Sequence, residues 1–144
     1  MILPFKEIDL NLANKLKAYV FDIIGCCIAV RKEMGPWLNE YVYQDALEVA
    51  LNEKDIPFIR EYRFHTAFHG HTLGHHHQVD FFVKNKVFIE CKAVSALTTD
   101  HRQQLWNYMR LTNIHIGILY NFAPTRDQCE KYFYDTDSGT MSLF

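Results

Sequence analysis

The sequence predicts an α/β fold in which a mixed sheet is flanked by helices. Helical periodicity dominates the first third of the chain, whereas short apolar runs typical of strands follow it. A further helical segment separates the strand that ends at Lys92 from a later apolar strand, which indicates a parallel βαβ crossover. The predicted order is α-α-β-β-β-α-β with a C-terminal β tail. A chain of 144 residues is expected to form one domain, residues 1–144.

Two helices are predicted before the first strand. The first covers residues 10–34 and ends at Gly35-Pro36, a natural stop for a helix. The second covers residues 38–53. Side chains three and four positions apart share one face of this second helix: Glu40, Tyr43, Gln44 and Leu47.

The remaining elements follow from apolar runs and turn residues. Strands are predicted near residues 58–68, 75–83 and 87–92, and a third helix over 99–112 with Thr98 or Thr99 as its cap. The run 114–121 is almost entirely apolar, as expected for a central strand that is covered on both faces.

Composition favours a folded, water-soluble protein and limits its partners. Hydrophobic residues make up 49% and charged residues 22%, which excludes a disordered chain. The net charge of −2 argues against long-range attraction to nucleic acid, so any such contact should be local. The four cysteines form no Cys-x-x-Cys pair, which favours reduced thiols in the cytoplasm. Residues 1–7 lack a signal-peptide pattern, and the apolar run 23–30 is too short for a membrane span.

Charged residues interrupt two of the predicted strands. Asp80 lies in one, and Glu90 and Lys92 lie in the next, beyond the turn at Lys84-Asn85-Lys86. Because side chains alternate along a strand, Glu90 and Lys92 point the same way, roughly 6.5 Å apart, and Asp80 can lie opposite them. Two carboxylates suit Mg²⁺, and a lysine can orient water or stabilise charge on a phosphate. The alternative is a hairpin with a surface ion pair.

The chain resembles the GxxExxY family of the PD-(D/E)XK nuclease superfamily from about residue 23 to 122. Six pieces carry the resemblance in the same order, among them Val79-Asp80 and Ile89-Glu90-Cys91-Lys92; the others are residues 31–36, 38–47, 101–110 and 117–122. The resemblance implies a restriction-endonuclease-like fold. It also implies a metal-dependent nuclease that hydrolyses nucleic acid, with DNA the expected substrate.

The resemblance also implies roles for individual residues. Glu40, Asp80, Glu90 and the backbone carbonyl of Cys91 would hold Mg²⁺ or Mn²⁺, and Lys92 would activate the attacking water. Gln104 and Tyr108, which match the Gln-x-x-x-Tyr motif of RecB-like nucleases, would line the active site. His101 and Tyr43 are further candidates for substrate contact. For His101 the alternative is a histidine on the helix surface, and for Tyr43 it is packing against the site.

Two positions depart from the family pattern. Trp37 stands where the family's naming glycine is expected, three residues before Glu40, and Gln78 replaces an arginine that is common two residues before Asp80. These departures and the acidic balance leave a second function open. That function is a catalytically silent nucleic-acid-binding or assembly protein that retains the nuclease fold.

Six histidines crowd the second strand region: His65, His69, His71, His75, His76 and His77. Alternation places His76, Gln78 and Asp80 on one face of the strand and His75 with His77 on the other. His75 and His77 could bind zinc or nickel with a partner from the preceding strand. The alternative is a set of exposed hairpin histidines.

The aromatic C-terminal tail, residues 131–134 and 141–144, suggests two arrangements. It could supply an apolar edge for a homodimer, or it could complete the sheet of its own chain.

Overall fold

A computed structural model describes residues 5–144 of the chain; the first four residues of the segment 1–7, which lacks a signal-peptide pattern, lie outside the described part. Three helices and six strands follow in order: α1 Leu10–Met34, α2 Glu40–Glu53, β1 Phe58–Phe68, β2 His71–Val83, β3 Val87–Lys92, α3 Thr99–Thr112, β4 Ile116–Asn121, β5 Gln128–Asp135 and β6 Thr140–Leu143. The predicted α/β order is therefore confirmed, including the C-terminal strands.

All six strands form one sheet in the order β1-β2-β3-β4-β5-β6. Only β3 and β4 run parallel, with Val87 opposite Ile116 and Lys92 opposite Asn121, and the other neighbours are antiparallel. The parallel pair is the one that α3 connects, as the sequence predicted. The tail adds β5 and β6 to the sheet of its own chain.

The sheet separates two apolar cores. Helices α1 and α2 pack on one face, against side chains that include Ile89, Cys91 and Ile118. Helix α3 packs on the other face, where Leu105 and Met109 meet Phe88 and Leu119. Alternation along β3 explains this division, because Val87, Ile89 and Cys91 face the first core and leave Phe88, Glu90 and Lys92 on the α3 side.

Helix α3 lies close to the sheet because β4 carries a glycine. A methyl group on Gly117 would overlap the sulfur of Met109 and would lie 3.2 Å from the methyl carbons of Leu105. A larger residue at 117 would therefore push α3 outward. This close packing fixes the position of the helix that bears Gln104 and Tyr108.

The observed boundaries differ slightly from the predicted ones. Strand β2 begins at His71 rather than at 75, because residues 71–79 pair with β1 in a long hairpin. Helix α2 begins at Glu40 rather than at 38, since the Asn39 side chain accepts a hydrogen bond from the Tyr41 N–H and caps the helix. At α3 the cap is Thr98.

Candidate active site

Asp80 and Glu90 lie where the pairing of β2 with β3 stops. The ladder joins Val83 to Val87, Phe82 to Phe88 and Phe81 to Ile89, and it does not continue to the next pair. Side chains replace the missing main-chain partners there. The Cys91 N–H donates to Asp80 Oδ2 over 2.8 Å, and the Asp80 N–H donates to Glu90 Oε1 over 3.3 Å. Both carboxylates are thereby fixed beside the gap between the strands.

The pairing of β2 with its other neighbouring strand, β1, is also irregular at Asp80. Arg60 pairs with Phe81 and Tyr62 with Val79, but Glu61, opposite Asp80, is unpaired and has a φ of 54°. A left-handed conformation is uncommon outside glycine. The sheet is therefore distorted on both sides of Asp80, and its carboxylate is held by a local geometry that regular strands do not provide.

Burial and mutual repulsion govern the two carboxyl groups. Glu90 is only 4% exposed. Burial, and then the nearby charge of Asp80, raises the pKa of Glu90 well above its ordinary value. Burial also raises the pKa of Asp80, although the N–H of Cys91 and the charge of Lys92 oppose this. The ionised forms of Asp80 and Glu90 are thus disfavoured, and additional positive charge nearby would stabilise them.

Lys92 lies on the same face of β3 as Glu90. Its positive charge acts to lower the pKa of Asp80, Glu90 and Glu40, which places its ammonium within electrostatic reach of all three. Among residues 5–144, however, no carboxylate comes within 4.0 Å of the Lys92 ammonium. The lysine is therefore near the acidic cluster without being bound in a direct ion pair.

Glu40 reaches the same region from the first turn of α2. Burial, followed by the charge of Asp80, raises the pKa of Glu40. The Gln44 amide, one turn on, donates weakly to Glu40 Oε2 over 3.4 Å. Three carboxylates from α2, β2 and β3 thus share one electrostatic environment.

The carboxylates fit the divalent cation that the fold family implies. All three are oxygen donors, which Mg²⁺ and Mn²⁺ prefer, and the raised pKa values of all three groups show that extra positive charge would be favourable there. The described residues contain no group of three or more His, Cys, Asp or Glu side chains already close enough to enclose a metal. The backbone N–H of Cys91 donates to the Asp80 carboxylate. The Cys91 thiol lies on the other face of the sheet, in the core formed with α1 and α2.

Helix α3 places Tyr108 toward the acidic cluster. Burial and the charge of Glu90 raise the pKa of Tyr108, while the neighbouring Gln104 side chain acts in the opposite direction. The phenol ring also packs edge-on against Phe64, with the ring centres 5.2 Å apart. The Gln104 side chain is exposed on the same side of α3.

His101 caps its own helix. Its Nδ1 accepts a hydrogen bond from the Thr98 N–H over 3.1 Å, and its own N–H donates to the Thr98 hydroxyl. Burial, and then the charge of Lys92, lowers the pKa of His101, which shows that the imidazole lies near the lysine. Only Nε2 is then free to face a substrate.

Tyr43 is placed differently from its predicted contact with substrate. It has no exposed surface. Its hydroxyl donates to the Gly35 carbonyl over 2.7 Å and accepts from the Leu38 N–H over 3.0 Å. The ring stacks on Phe122, with the ring centres 5.0 Å apart. Tyr43 therefore secures the turn that precedes Glu40, the packing role that was the alternative.

The two departures from the family pattern have structural counterparts. Trp37 adopts a left-handed φ of 63°, so the backbone shape that glycine favours is retained. Its N–H donates to the Ala123 carbonyl over 2.9 Å, which ties the turn to the end of β4. Gln78 accepts a hydrogen bond over 3.2 Å from Arg63 on the neighbouring strand. The family pattern has an arginine at the position of Gln78, and here a guanidinium group reaches that position from Arg63 on β1.

The histidines do not form the zinc or nickel site considered above. His75 and His77 lie on one face, with ring centres 5.0 Å apart, but the residue of β1 opposite His77 is Phe64. His65 instead faces His76. The predicted partner on the preceding strand is therefore missing from that face.

One contributor was not identified from the sequence. Arg60 donates to the carboxylates of Asp45 and Glu48 and to the side-chain amide oxygen of Gln44, and its charge acts to lower the pKa of Asp80 against the larger effect of burial. Gln44 therefore bridges Arg60 and Glu40. The four-residue spacing of Glu40, Gln44 and Glu48 on α2 is the signal that could have indicated this network.

Comparison with a solved structure supports the fold. The crystal structure of SSO0001 is similar over 64% of this chain and 48% of that chain, with 21% identity and a TM-score of 0.51. The match thus spans about half of that protein's length and reports the fold alone. No curated protein matches the chain significantly.

None of the helices within residues 5–144 is long and apolar enough to cross a membrane. A family profile matches residues 17–132, a stretch that includes the carboxylates, the lysine and α3. With its mixed sheet and the pairing gap at Asp80 and Glu90, the chain belongs to the PD-(D/E)XK nuclease superfamily.

Proposed function

We propose that this protein is a divalent-metal-dependent phosphodiesterase that cleaves nucleic acid, most suitably DNA, and that it is a member of the GxxExxY family. Membership of the superfamily points to a nuclease and hence to a nucleic-acid substrate. The observation that carries the proposal is the interrupted ladder, where Asp80 and Glu90 face the same gap within electrostatic reach of Lys92. The interruption leaves the Asp80 and Glu90 carboxylates to accept hydrogen bonds from main-chain N–H groups at the gap.

Glu40, Asp80, Glu90 and the Cys91 carbonyl would hold Mg²⁺ or Mn²⁺. When bound, the ion would stabilise the charge that develops on the phosphate and make water more acidic. Lys92 orients the attacking water and interacts with the same phosphate. Hydrolysis then joins the water oxygen to phosphorus as the bond to the leaving oxygen breaks.

Side chains of α3 complete the site. The Tyr108 phenol, like an ordinary tyrosine with a pKa of about 10, is protonated at neutral pH, so that its hydroxyl can donate a hydrogen bond to a phosphate oxygen. Gln104 supports Tyr108 and can hydrogen-bond water or phosphate. His101 can donate through Nε2 beside Lys92, because Nδ1 is occupied by the helix cap.

Cleavage of labelled single-stranded and duplex DNA and RNA, with Mg²⁺, Mn²⁺ or EDTA, tests the proposal. We expect metal-dependent cleavage that Lys92→Ala reduces by at least about a hundredfold, the scale on which single electrostatic groups act in catalysis. Lys86→Ala, in the turn at the far end of β3, is the matched control and should retain activity. Equal activity of the Lys92→Ala variant and the parent would refute the role of Lys92. Binding without cleavage would favour the silent nucleic-acid-binding protein.

The four cysteines are free, which supports the predicted cytoplasmic location.

A further inference from the structure

The outer part of the β1–β2 hairpin, residues 62–78, extends beyond the main sheet. β3 pairs with β2 only at residues 81–83, so the outer hairpin has no other strand beside it. It contains no Asp or Glu, although the whole chain has 17 of them, and it carries Arg63 and six of the eight histidines. A surface that is free of carboxylates, in a protein of net charge −2, is suited to a polyanion.

An open groove of about 480 Å³ separates this hairpin from α3. It is lined by His75 and His77 of β2 and by side chains of α3 that include Asp100, Gln103, Gln104, Asn107 and Tyr108. The Tyr108 and His77 rings pack against each other, with the ring centres 5.6 Å apart, where α3 meets the hairpin. Because Tyr108 lines the groove and is also within electrostatic reach of Glu90, the groove lies beside the proposed active site.

The lining suits bases better than it suits phosphates. It offers the Tyr108 ring, two imidazole rings and three side-chain amides; it has no lysine or arginine, and its one carboxylate, Asp100, repels phosphates. The His77 ring stacks on Phe64, with the ring centres 5.2 Å apart, and burial followed by the neighbouring histidines lowers the pKa of His77. A neutral, supported ring can stack on a base, and amides can bond to base edges that pairing would hide.

We infer that the groove between the outer hairpin and α3 binds an unpaired nucleic-acid strand beside the scissile phosphate. The substrate class is therefore single-stranded nucleic acid, or the unpaired end of a duplex. This inference rests on the proposed nuclease function for its biological meaning, but the binding it describes requires neither metal nor cleavage.

The test measures binding of the full-length protein in EDTA by fluorescence anisotropy. The probes are labelled oligo-dT, oligo-U and a blunt DNA hairpin of equal length. We expect tighter binding of a single-stranded probe than of the hairpin. The double variant His75→Ala/His77→Ala should weaken single-strand binding about tenfold, in line with the loss of a stacked base. The control His69→Ala/His71→Ala changes two histidines of the same hairpin outside the groove and should retain the parent's affinity.

Two further variants separate stacking from folding. His77→Phe keeps a flat ring on Phe64 and should retain the affinity, whereas His75→Ala removes only an exposed side chain and should weaken binding with an unchanged melting temperature. Equal affinity for the hairpin and the single strands would overturn the inference. So would undiminished binding by the folded His75→Ala/His77→Ala variant, or no binding of any probe. If the protein bound single strands but cleaved no nucleic acid, the proposed nuclease function would be refuted and this inference would stand.

Discussion

At the scale of single residues, the ionised form of Glu90 is destabilised in the metal-free protein by burial and by the nearby charge of Asp80. A carboxyl group whose pKa is raised on folding binds more protons in the folded state than in the unfolded state. Stability is then lost as the pH rises from the ordinary value of about 4.3 through the raised value, at about 1.4 kcal/mol for each pKa unit. The same charge is what a divalent cation would neutralise.

Glu90→Gln should therefore stabilise the metal-free protein at pH 8, and the gain should shrink toward pH 4. Thermal unfolding in EDTA across this range measures both effects. Mg²⁺ should raise the melting temperature of the parent more than that of the variant. Glu33→Gln, at an exposed position on α1, is the matched control and should show neither effect. A Glu90→Gln variant less stable than the parent at pH 8 would contradict this account.

Trp37 is a second residue whose effect on the free energy of unfolding can be measured. It is 58% exposed and holds a left-handed φ, a conformation that costs a residue with a side chain roughly 1–2 kcal/mol. We expect Trp37→Gly to be more stable than Trp37→Ala by about 1 kcal/mol in urea unfolding, since only glycine adopts this φ without strain. The Ala variant controls for loss of the indole. Equal stability of the two variants would show that the turn relaxes to another conformation.

At the scale of elements, the sequence predicted the order of helices and strands and the parallel β3–β4 pair correctly. These features depend on apolar periodicity, which is local. Periodicity did not reveal the interruption at Asp80: Val79 and Phe82 pack in the same core, although strict alternation would separate them. That distortion depends on Glu61 in the neighbouring strand, so a reading of β2 alone could not find it.

The Arg60 network escaped prediction for a similar reason. Its partners lie 12 to 16 residues away on α2, and only the folded structure brings the two elements together. The roles of Asp80, Glu90 and Lys92 stay predictions until they are tested. They were nevertheless recognisable, because charges within apolar strands stand out in a sequence.

Gly117 tests how far the candidate site depends on the packing of α3. Gly117→Ala should destabilise the protein by roughly 1–3 kcal/mol, the usual cost of overpacking, and should reduce cleavage because Gln104 and Tyr108 move outward. In a Met109→Ala background the cost should fall, since the sulfur that meets the new methyl group is gone. Chemical denaturation of the parent, the two single variants and the double variant gives the coupling free energy between positions 117 and 109.

Gly25→Ala is the matched control for that cycle. Gly25 lies within α1, and a methyl group there meets nothing within 4 Å. Alanine should therefore stabilise the helix by roughly 0.5–1 kcal/mol. A Gly117→Ala variant that behaves like Gly25→Ala would show that α3 is not held close to the sheet.

At the scale of the whole molecule, the remaining prediction concerns a homodimer. The C-terminal strands complete the sheet of their own chain, so a dimer formed through this tail would have to pair along β6. β6 has only four residues, and short edge strands resist pairing with another chain. Phe5 also forms a bridge with Met141, and the Lys6 N–H donates to the Met141 carbonyl over 3.0 Å. Part of the edge is thus already covered.

We therefore expect light scattering at micromolar concentration to give a mass near 17.0 kDa. Twice that mass would show a dimer, and Leu143→Lys would then locate it. Leu143 is 52% exposed on β6, so a lysine there is tolerated by the monomer and opposes pairing between two edges. Recovery of the monomer in this variant would place the contact at β6. A dimer that persists would place it on another surface, because the charge at 143 would then lie outside the interface.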